Sequence, residues 1–229
     1  MEELSRAELL IGKDNLEKLK TAHVAVFGVG GVGGFSVECL VRSGVGNITV
    51  IDADIVEKSN INRQIIATEE TVGKDKVEVV SARAKSINDS VNITAIKTFY
   101  LPENADEIDL TKFDYIIDAI DTVTAKIELI KRATKKGVKI ISCMGTGGKM
   151  RPELLKVSVI EKTSVCPLAK VVRKKLKDLG VKGVKVVYSE EENIANKQEE
   201  RTIPSMIFVP SVAGILLANE VVKDIIGLK

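Results

Sequence analysis

Short apolar runs of strand length alternate along the chain with stretches whose apolar residues recur at helical spacing. His23 to Gly28 reads as a first strand, and Gly31 to Ser43 as the helix after it, closed by Gly44. Asn47 to Asp52 reads as a second strand. Lys74 to Asn88 places Val77, Val80, Ala84 and Ile87 on one face and reads as a helix. Asn92 to Thr98 and Phe113 to Asp118 follow as strands, then a helix from about Thr122 to Lys136 and a turn at Gly137. Val138 to Met144 is a fifth strand. The alternation predicts a Rossmann-like, doubly wound α/β fold: a mainly parallel sheet with helices on both faces.

Beyond Gly148 the pattern changes. Glu153 to Ile160 and Val184 to Ser189 read as strands enclosing a helix from Pro167 to Leu179. Ser211 to Ile226 reads as an apolar C-terminal helix that Gly227 ends. Glu190 to Arg201 is polar, holds five glutamates without periodicity, and reads as a flexible loop. The expected organisation is a single domain over 1–229, with a core at 1–150 and a C-terminal strand and helix extension at 151–229.

Composition narrows the picture by exclusion. An apolar fraction of 45% supplies a substantial core, whereas 3% aromatics leave little for base-stacking platforms. A net charge of +2 with 29% charged residues describes a mixed surface. Three cysteines, Cys39, Cys143 and Cys166, form no CxxC pair, and His23 is the only histidine, so a zinc site of four cysteines, or of two cysteines and two histidines, is excluded within one chain. Scattered thiols fit a reducing cytoplasm. The start is polar and acidic, unlike a signal peptide, and the most apolar stretch, Ile203 to Leu217, is broken by Pro204 and Pro210. The expectation is a soluble cytoplasmic protein without a membrane partner.

The chemistry begins at Gly28-Val29-Gly30-Gly31-Val32-Gly33, which ends the first strand. Gly28 and Gly30 let the backbone turn tightly and approach a phosphate, and the following helix N-terminus offers free N–H groups. Asp52 ends the second strand, nineteen residues after Gly33, where a carboxylate can take ribose hydroxyls. For the turn alone, the plain alternative is tight strand–helix packing without ligand. Arg63 and Lys76 follow the second strand and can rise over the carboxyl edge of the sheet, Arg63 as a bidentate phosphate clamp and Lys76 as a point charge. Asn60 adds a neutral donor. Taken singly, such residues are as readily solvated surface charges. Asp121, just past the fourth strand, is the candidate Mg2+ ligand, with helix capping as the alternative for it and for Asp118.

These residues carry a resemblance. GVGGVG, DADIVEKSNINRQ (with Asp54 and Gln64), the VGKDK containing Lys76, and DAID together resemble the ThiF/MoeB/HesA adenylating family, relatives of ubiquitin-activating enzymes. The resemblance implies ATP-Mg2+ binding and activation of a carboxylate by adenylation. It implies a nucleotide site of Gly28, Gly30, Gly31, Gly33, Asp52, Asp54, Asn60, Arg63, Gln64 and Lys76. Within it Asp52 holds the ribose, Asn60, Arg63 and Lys76 the phosphates, and Asp121 the metal. Arg63, Lys76 and Asp121 are thereby the catalytic candidates. Arg6 matches an arginine that family members insert into the partner subunit's ATP site, which implies a homodimer.

Members serving ubiquitin-like sulfur carriers usually bear two CxxC zinc pairs, which this chain lacks. Its tail, Ile160 through Pro167-Leu168-Ala169-Lys170 and Arg173 to Val187-Tyr188-Ser189-Glu190, instead resembles the branch acting on threonylcarbamoyladenosine in tRNA, which implies a cyclising dehydration. The residues give this an electrostatic test. Helical spacing over Pro167–Leu179 gathers Leu168, Val172, Leu176 and Leu179 on one face and Lys170, Arg173, Lys174 and Lys177 opposite, with Lys175 misplaced on the apolar side. Lys182 and Lys185 continue the basic strip, which can track a phosphate backbone or be ordinary solvated surface. Cys166 reads as a loop thiol, Cys39 and Cys143 as core, His23 as structural. A sulfur-transfer partner stays open, as do three other readings: adenylation of a sulfur-carrier protein, an NAD(P)-dependent oxidoreductase favoured only by the glycine turn and Asp52, and a non-catalytic nucleotide-binding protein.

Overall fold

The computed structural model describes residues 2–192 and 203–228; of the expected loop at 190–201, residues 193 onward lie outside the described residues. In chain order the elements are α1 (Ser5–Ile11), α2 (Lys13–Thr21), β1 (His23–Phe27), α3 (Gly33–Arg42), β2 (Asn47–Ile51), α4 (Lys76–Ile87), β3 (Asn92–Ile96), β4 (Tyr115–Asp118), α5 (Val123–Lys135), β5 (Lys139–Cys143), β6 (Leu155–Val159), α6 (Pro167–Asp178), β7 (Lys185–Ser189) and α7 (Phe208–Ile226).

The seven strands form one sheet in the order β3-β2-β1-β4-β5-β7-β6. All neighbours are parallel except β6, which runs antiparallel to β7 at the edge. The Rossmann-like α/β expectation is borne out, and the two strands beyond Gly148 extend the same sheet. Strand β1 lies between β2 and β4, so Val26 faces both Val50 and Ile117 in register. Because β1, β2 and β3 step one way and β4 starts again on the other side of β1, a crevice opens at the carboxyl ends of β1 and β4.

Successive residues along each strand point to opposite faces of the sheet, giving two cores. One packs Val24, Val26, Ile48 and Val50 under α3, α4 and α7; the other packs Ala25, Phe27 and Ile116 under α5 and α6. Helix α7 enters three residues before the expected Ser211. Pro210 is tolerated there because it sits in the first turn, where the N–H has no helical partner. Gly227, with φ 74°, ends the helix as expected. Ser36 Oγ donates to Gly214 O at 3.0 Å, which ties α3 to α7.

Helices α1 and α2 were not expected. Helix α1 buries none of its residues and α2 buries only Leu16 and Leu19, so neither carries a repeating apolar face to be read. Leu9 and Leu10 of α1 are 88% and 84% exposed. His23 is structural: Nε2 lies 2.9 Å from Thr49 Oγ1 and the ring stands edge-on to Phe113. Among the described residues, no helix is long and apolar enough to cross a membrane.

Leu217 on α7 is fully buried in the first core. Leu217→Ala lowers unfolding free energy by about 2–5 kcal/mol, the range for an unrelaxed core cavity; urea denaturation measures it, and a loss under 1 kcal/mol would show that α7 collapses onto the gap.

Candidate active site

A cleft of about 560 Å³ occupies the crevice at the β1/β4 switch point. Its floor is the glycine turn. Gly28 has φ 83°, and a Cβ there would meet Ala119 O at 2.7 Å. Gly33, the first residue of α3, lies so close to the turn that a Cβ would fall 1.8 Å from Gly28 O. Only glycine satisfies both positions, one for its dihedral angle and one for the contact. Gly28, Gly30 and Gly31 line the cleft, while Gly33 supports it from below.

Asp52 spans from β2 to this turn. Its Oδ2 accepts from Val29 N and its Oδ1 from Asp54 N, both at 2.8 Å, which fixes the carboxylate on the cleft wall. Lys76 opens α4 and is only 7% exposed; Nζ pairs with Asp54 Oδ2 at 2.7 Å. The Ile55–Asp75 bridge ties the two chain segments together behind that pair. Arg63 donates Nη1 to Ser59 O at 2.7 Å and Asn62 Oδ1 at 2.9 Å, both neutral acceptors, and has no carboxylate partner among the described residues. Gln64 is buried on the wall, and its Oε1 has no hydrogen-bond partner among the described residues. Asp121 is exposed at the rim and accepts one long hydrogen bond, from Thr122 Oγ1 at 3.3 Å.

Asp52, Asp54, Arg63, Gln64, Lys76 and Asp121 therefore share one cleft with the turn glycines. Asn60 is elsewhere. It is buried behind the wall in a capping box, its Oδ1 accepting from Glu57 N at 3.1 Å, so the side chain is spent on the short 3-10 turn at Lys58–Asn60. Arg6, exposed on α1, is not among the residues lining this chain's own cleft.

Asp118 and Asp121 do not cap α5 with their side chains; Thr122 is its N-cap residue and makes no side-chain cap bond. Asp118 is fully buried, and so is Lys126, whose Nζ donates to Asp118 Oδ2 at 2.7 Å. Ser142 Oγ of β5 donates to the same oxygen at 2.5 Å, and Ile120 N to the other at 3.1 Å. Sequence reasoning missed this network. A signal existed: Lys126 shares the α5 face of Leu129, Ile130 and Ala133, where a solvated lysine has no place.

Cys166 is the N-cap residue of α6 and is 3% exposed, not a loop thiol, and both it and Cys143 reach the cleft wall. Burial pushes the Cys143 thiol up to about 12, which keeps it protonated. On α6, Ala169, Val172 and Leu176 form the buried face, while Leu179, assigned to that face from spacing, is 49% exposed. Lys170, Lys174 and Lys177 are exposed, and so is Lys175. Arg173 is half-buried and donates to Thr163 O and Oγ1, each at 2.7 Å. Lys185 leaves the basic strip, paired with Asp224 and Glu220 of α7. Pro167 and Leu168 line the cleft, so the basic helix starts at its wall.

A glycine turn at the switch point, an acid just past the second strand and two cations beyond it thus share one cleft. The chain belongs to the ThiF family, whose profile matches residues 4–229. It is 42% identical over 242 residues to the tRNA threonylcarbamoyladenosine dehydratase of Bacillus subtilis (strain 168), covering 99% of this chain and 95% of that one. The crystal structure of Escherichia coli tRNA N6-threonylcarbamoyladenosine dehydratase, TcdA, in complex with ATP matches with a TM-score of 0.93 at 32% identity, covering 99% of this chain and 94% of that one. The sulfur carrier protein ThiS adenylyltransferase of Bacillus subtilis is 35% identical over 150 residues, 63% of this chain and 44% of that one.

Removing one partner of the buried pair leaves a naked charge. Lys126→Ala lowers stability by about 3–5 kcal/mol, whereas Lys126→Met combined with Asp118→Asn recovers more than half of it. Chemical denaturation of the two variants measures this; equal losses would show that the charge itself is not what the site penalises.

Proposed function

We propose that the protein adenylates the carboxylate of the threonyl group of threonylcarbamoyladenosine in tRNA and so drives an ATP-dependent cyclising dehydration. The observation that carries this reading is one cleft that joins the turn glycines, Asp52, Arg63, Lys76 and Asp121 to the start of a basic helix. Its relatives of like length bear the same activity in their names.

The roles follow from the charges. A free carboxylate is a poor electrophile because its leaving group would be oxide. One of its oxygens attacks the α-phosphorus of ATP, the bond to the β-phosphate oxygen breaks, and pyrophosphate leaves. Arg63 and Lys76 stabilise the charge that develops on the leaving phosphates. A nucleophilic atom of the same nucleoside then attacks the acyl carbon, AMP departs with the former carboxylate oxygen, and one proton is released. The substrate has then lost one water. Asp52 holds the ribose, and the unpartnered Oε1 of Gln64 offers the nucleotide an acceptor. Asp121, with acceptor capacity to spare, fits a Mg2+ ion, which supplies Lewis-acid neutralisation of the phosphates when bound.

The active form is a homodimer in this reading. Leu9 and Leu10 stand exposed on the helix that carries Arg6, as expected of a surface covered by a second copy, and Arg6 then reaches the partner's nucleotide. Lys170, Lys174 and Lys177 take tRNA phosphates; Arg173 contributes with what its bonds to Thr163 leave free. The protein works in the cytoplasm, where its thiols stay reduced.

Mass spectrometry of tRNA nucleosides after incubation with ATP-Mg2+ tests the reading. The expected result is an ATP-dependent loss of one water, about 18 Da, from threonylcarbamoyladenosine; no loss, with ATP–pyrophosphate exchange appearing only when a diglycine-tailed carrier is added, would replace tRNA with a sulfur-carrier protein. Arg63→Ala and Lys76→Ala abolish turnover while circular dichroism stays native, and full activity in either overturns its assigned role. Mixing Arg6→Ala subunits with Lys76→Ala subunits restores part of the activity, since each mixed dimer holds one intact composite site. Changing Lys170, Lys174 and Lys177 to Glu weakens tRNA binding and flattens its dependence on salt by about one unit of slope per lost phosphate contact; an unchanged slope would return the strip to plain surface.

A further inference from the structure

Lys149 is a buried cation on the cleft wall that the nucleotide does not account for. It is 5% exposed and lines the cleft beyond β5. Its Nζ donates to the backbone carbonyl of Glu191, and among the described residues it has no carboxylate partner. The nearby Glu191 side chain is otherwise engaged: its oxygens accept from Met150 N at 2.9 and 3.1 Å and from Arg151 N at 2.8 Å. A buried ammonium with one neutral acceptor is costly unless an anion arrives to compensate it.

The order of strands says which anion. Along the carboxyl edge of the sheet the cleft presents Asp52 after β2, the glycine turn after β1, Asp121 after β4, and then the loop after β5 that leads to Lys149. Arg63 and Lys76 both lie in the connection after β2, so the leaving pyrophosphate is held on that side. Displacement at phosphorus runs in line, and the entering oxygen must come from the opposite side, the side of β5. We infer that Lys149 binds the acceptor carboxylate, offsetting its repulsion from the triphosphate and aiming one oxygen at the α-phosphorus. This rests on the adenylation reading above and adds to it the group that recognises the acid.

The test compares wild type with Lys149→Met and Lys149→Arg, using ATP-Mg2+ and the same tRNA with and without threonylcarbamoyladenosine. Calorimetry gives affinities, and mass spectrometry gives kcat and KM. In Lys149→Met, ATP affinity stays within about twofold. Its kcat/KM for modified tRNA falls about 10- to 100-fold, the scale of one hydrogen bond to a charged group. Its preference for modified over unmodified tRNA disappears, and Lys149→Arg restores part of both. A purely structural role would lower stability without erasing that preference. If Lys149→Met does not fold, Lys149→Gln, which keeps a donor for Glu191 O, carries the same comparison. Unchanged kcat/KM and preference in an active background overturn the role of Lys149 alone. A loss of ATP affinity equal to the loss of kcat/KM assigns Lys149 to the nucleotide and also overturns it. Failure of wild type to dehydrate the modified tRNA overturns the adenylation reading itself.

Discussion

The ammonium of Lys126 sits without solvent contact between β4 and β5, and the site is assembled around it. It holds Asp118 at the end of β4, Ser142 of β5 donates to the same carboxylate, and the other Asp118 oxygen takes Ile120 N. The corner at 119–122 is thereby fixed, and Ala119 O lies against the α-carbon of Gly28, where no side chain fits. Gly28 in turn presses its carbonyl on Gly33, and Asp52 pulls Val29 N from the β2 side. Each contact constrains the next, so the position of the nucleotide turn is set by a buried ion pair two strands' width from Asp52. Such a pair is weak evidence for stability against an apolar alternative. Its value here is geometric: three donors converge on one carboxylate, and no apolar set would tie three elements to a single point.

The cleft distributes its charges by function. Lys76 is restrained by Asp54, Arg63 by neutral oxygens, and Lys149 by a single backbone carbonyl. A cation held by a carboxylate is positioned but partly neutralised, whereas one held by carbonyls keeps its field for a ligand. Arg63 and Lys149 are thus the two cleft cations with most charge to give, and they stand on opposite sides of Asp121 along the sheet edge. An in-line displacement needs that disposition, since negative charge enters on one side and leaves on the other.

Much of this was legible from the chain. From His23 through Met144 the strand and helix pattern gave elements to within about two residues, because β1, β2, β4 and β5 are short apolar runs that stop at or near a Gly or Asp. The motif residues Asp52, Arg63 and Lys76 fell into one cleft because they follow strand ends on the same sheet edge. Other parts left no trace. Helix α1 buries nothing, so its sequence has no face to read. Asn60 has the side chain of a phosphate donor, yet a Glu three residues earlier takes it for a capping box. Lys149 looks like one more lysine among many, and only three-dimensional burial separates such an ammonium from a solvated one; Lys126 is marked solely by its place on the apolar face of α5. Arg173 fell on the basic face by helical angle, but the turn at Thr163 comes back to meet it, a contact across ten residues that periodicity does not encode.

The thiols set a boundary on the chemistry. Cys143 is held protonated by its burial, and Cys166 is closed into the start of α6. Both thiols reach the cleft wall but are buried, and the proposed reaction calls on no thiol relay. A reaction that needs no relay is one whose nucleophile already belongs to the acyl-adenylate. Intramolecular attack of that kind draws its advantage from proximity and needs chiefly that competing water be kept away. Beyond β5 the wall includes the apolar Met144, Cys166 and Leu168, and among the described residues lining that part Lys149 is the charged one. That combination suits a carboxylate that must be recognised once as an anion and then, as a neutral acyl group, be shielded until it closes on its own nucleoside.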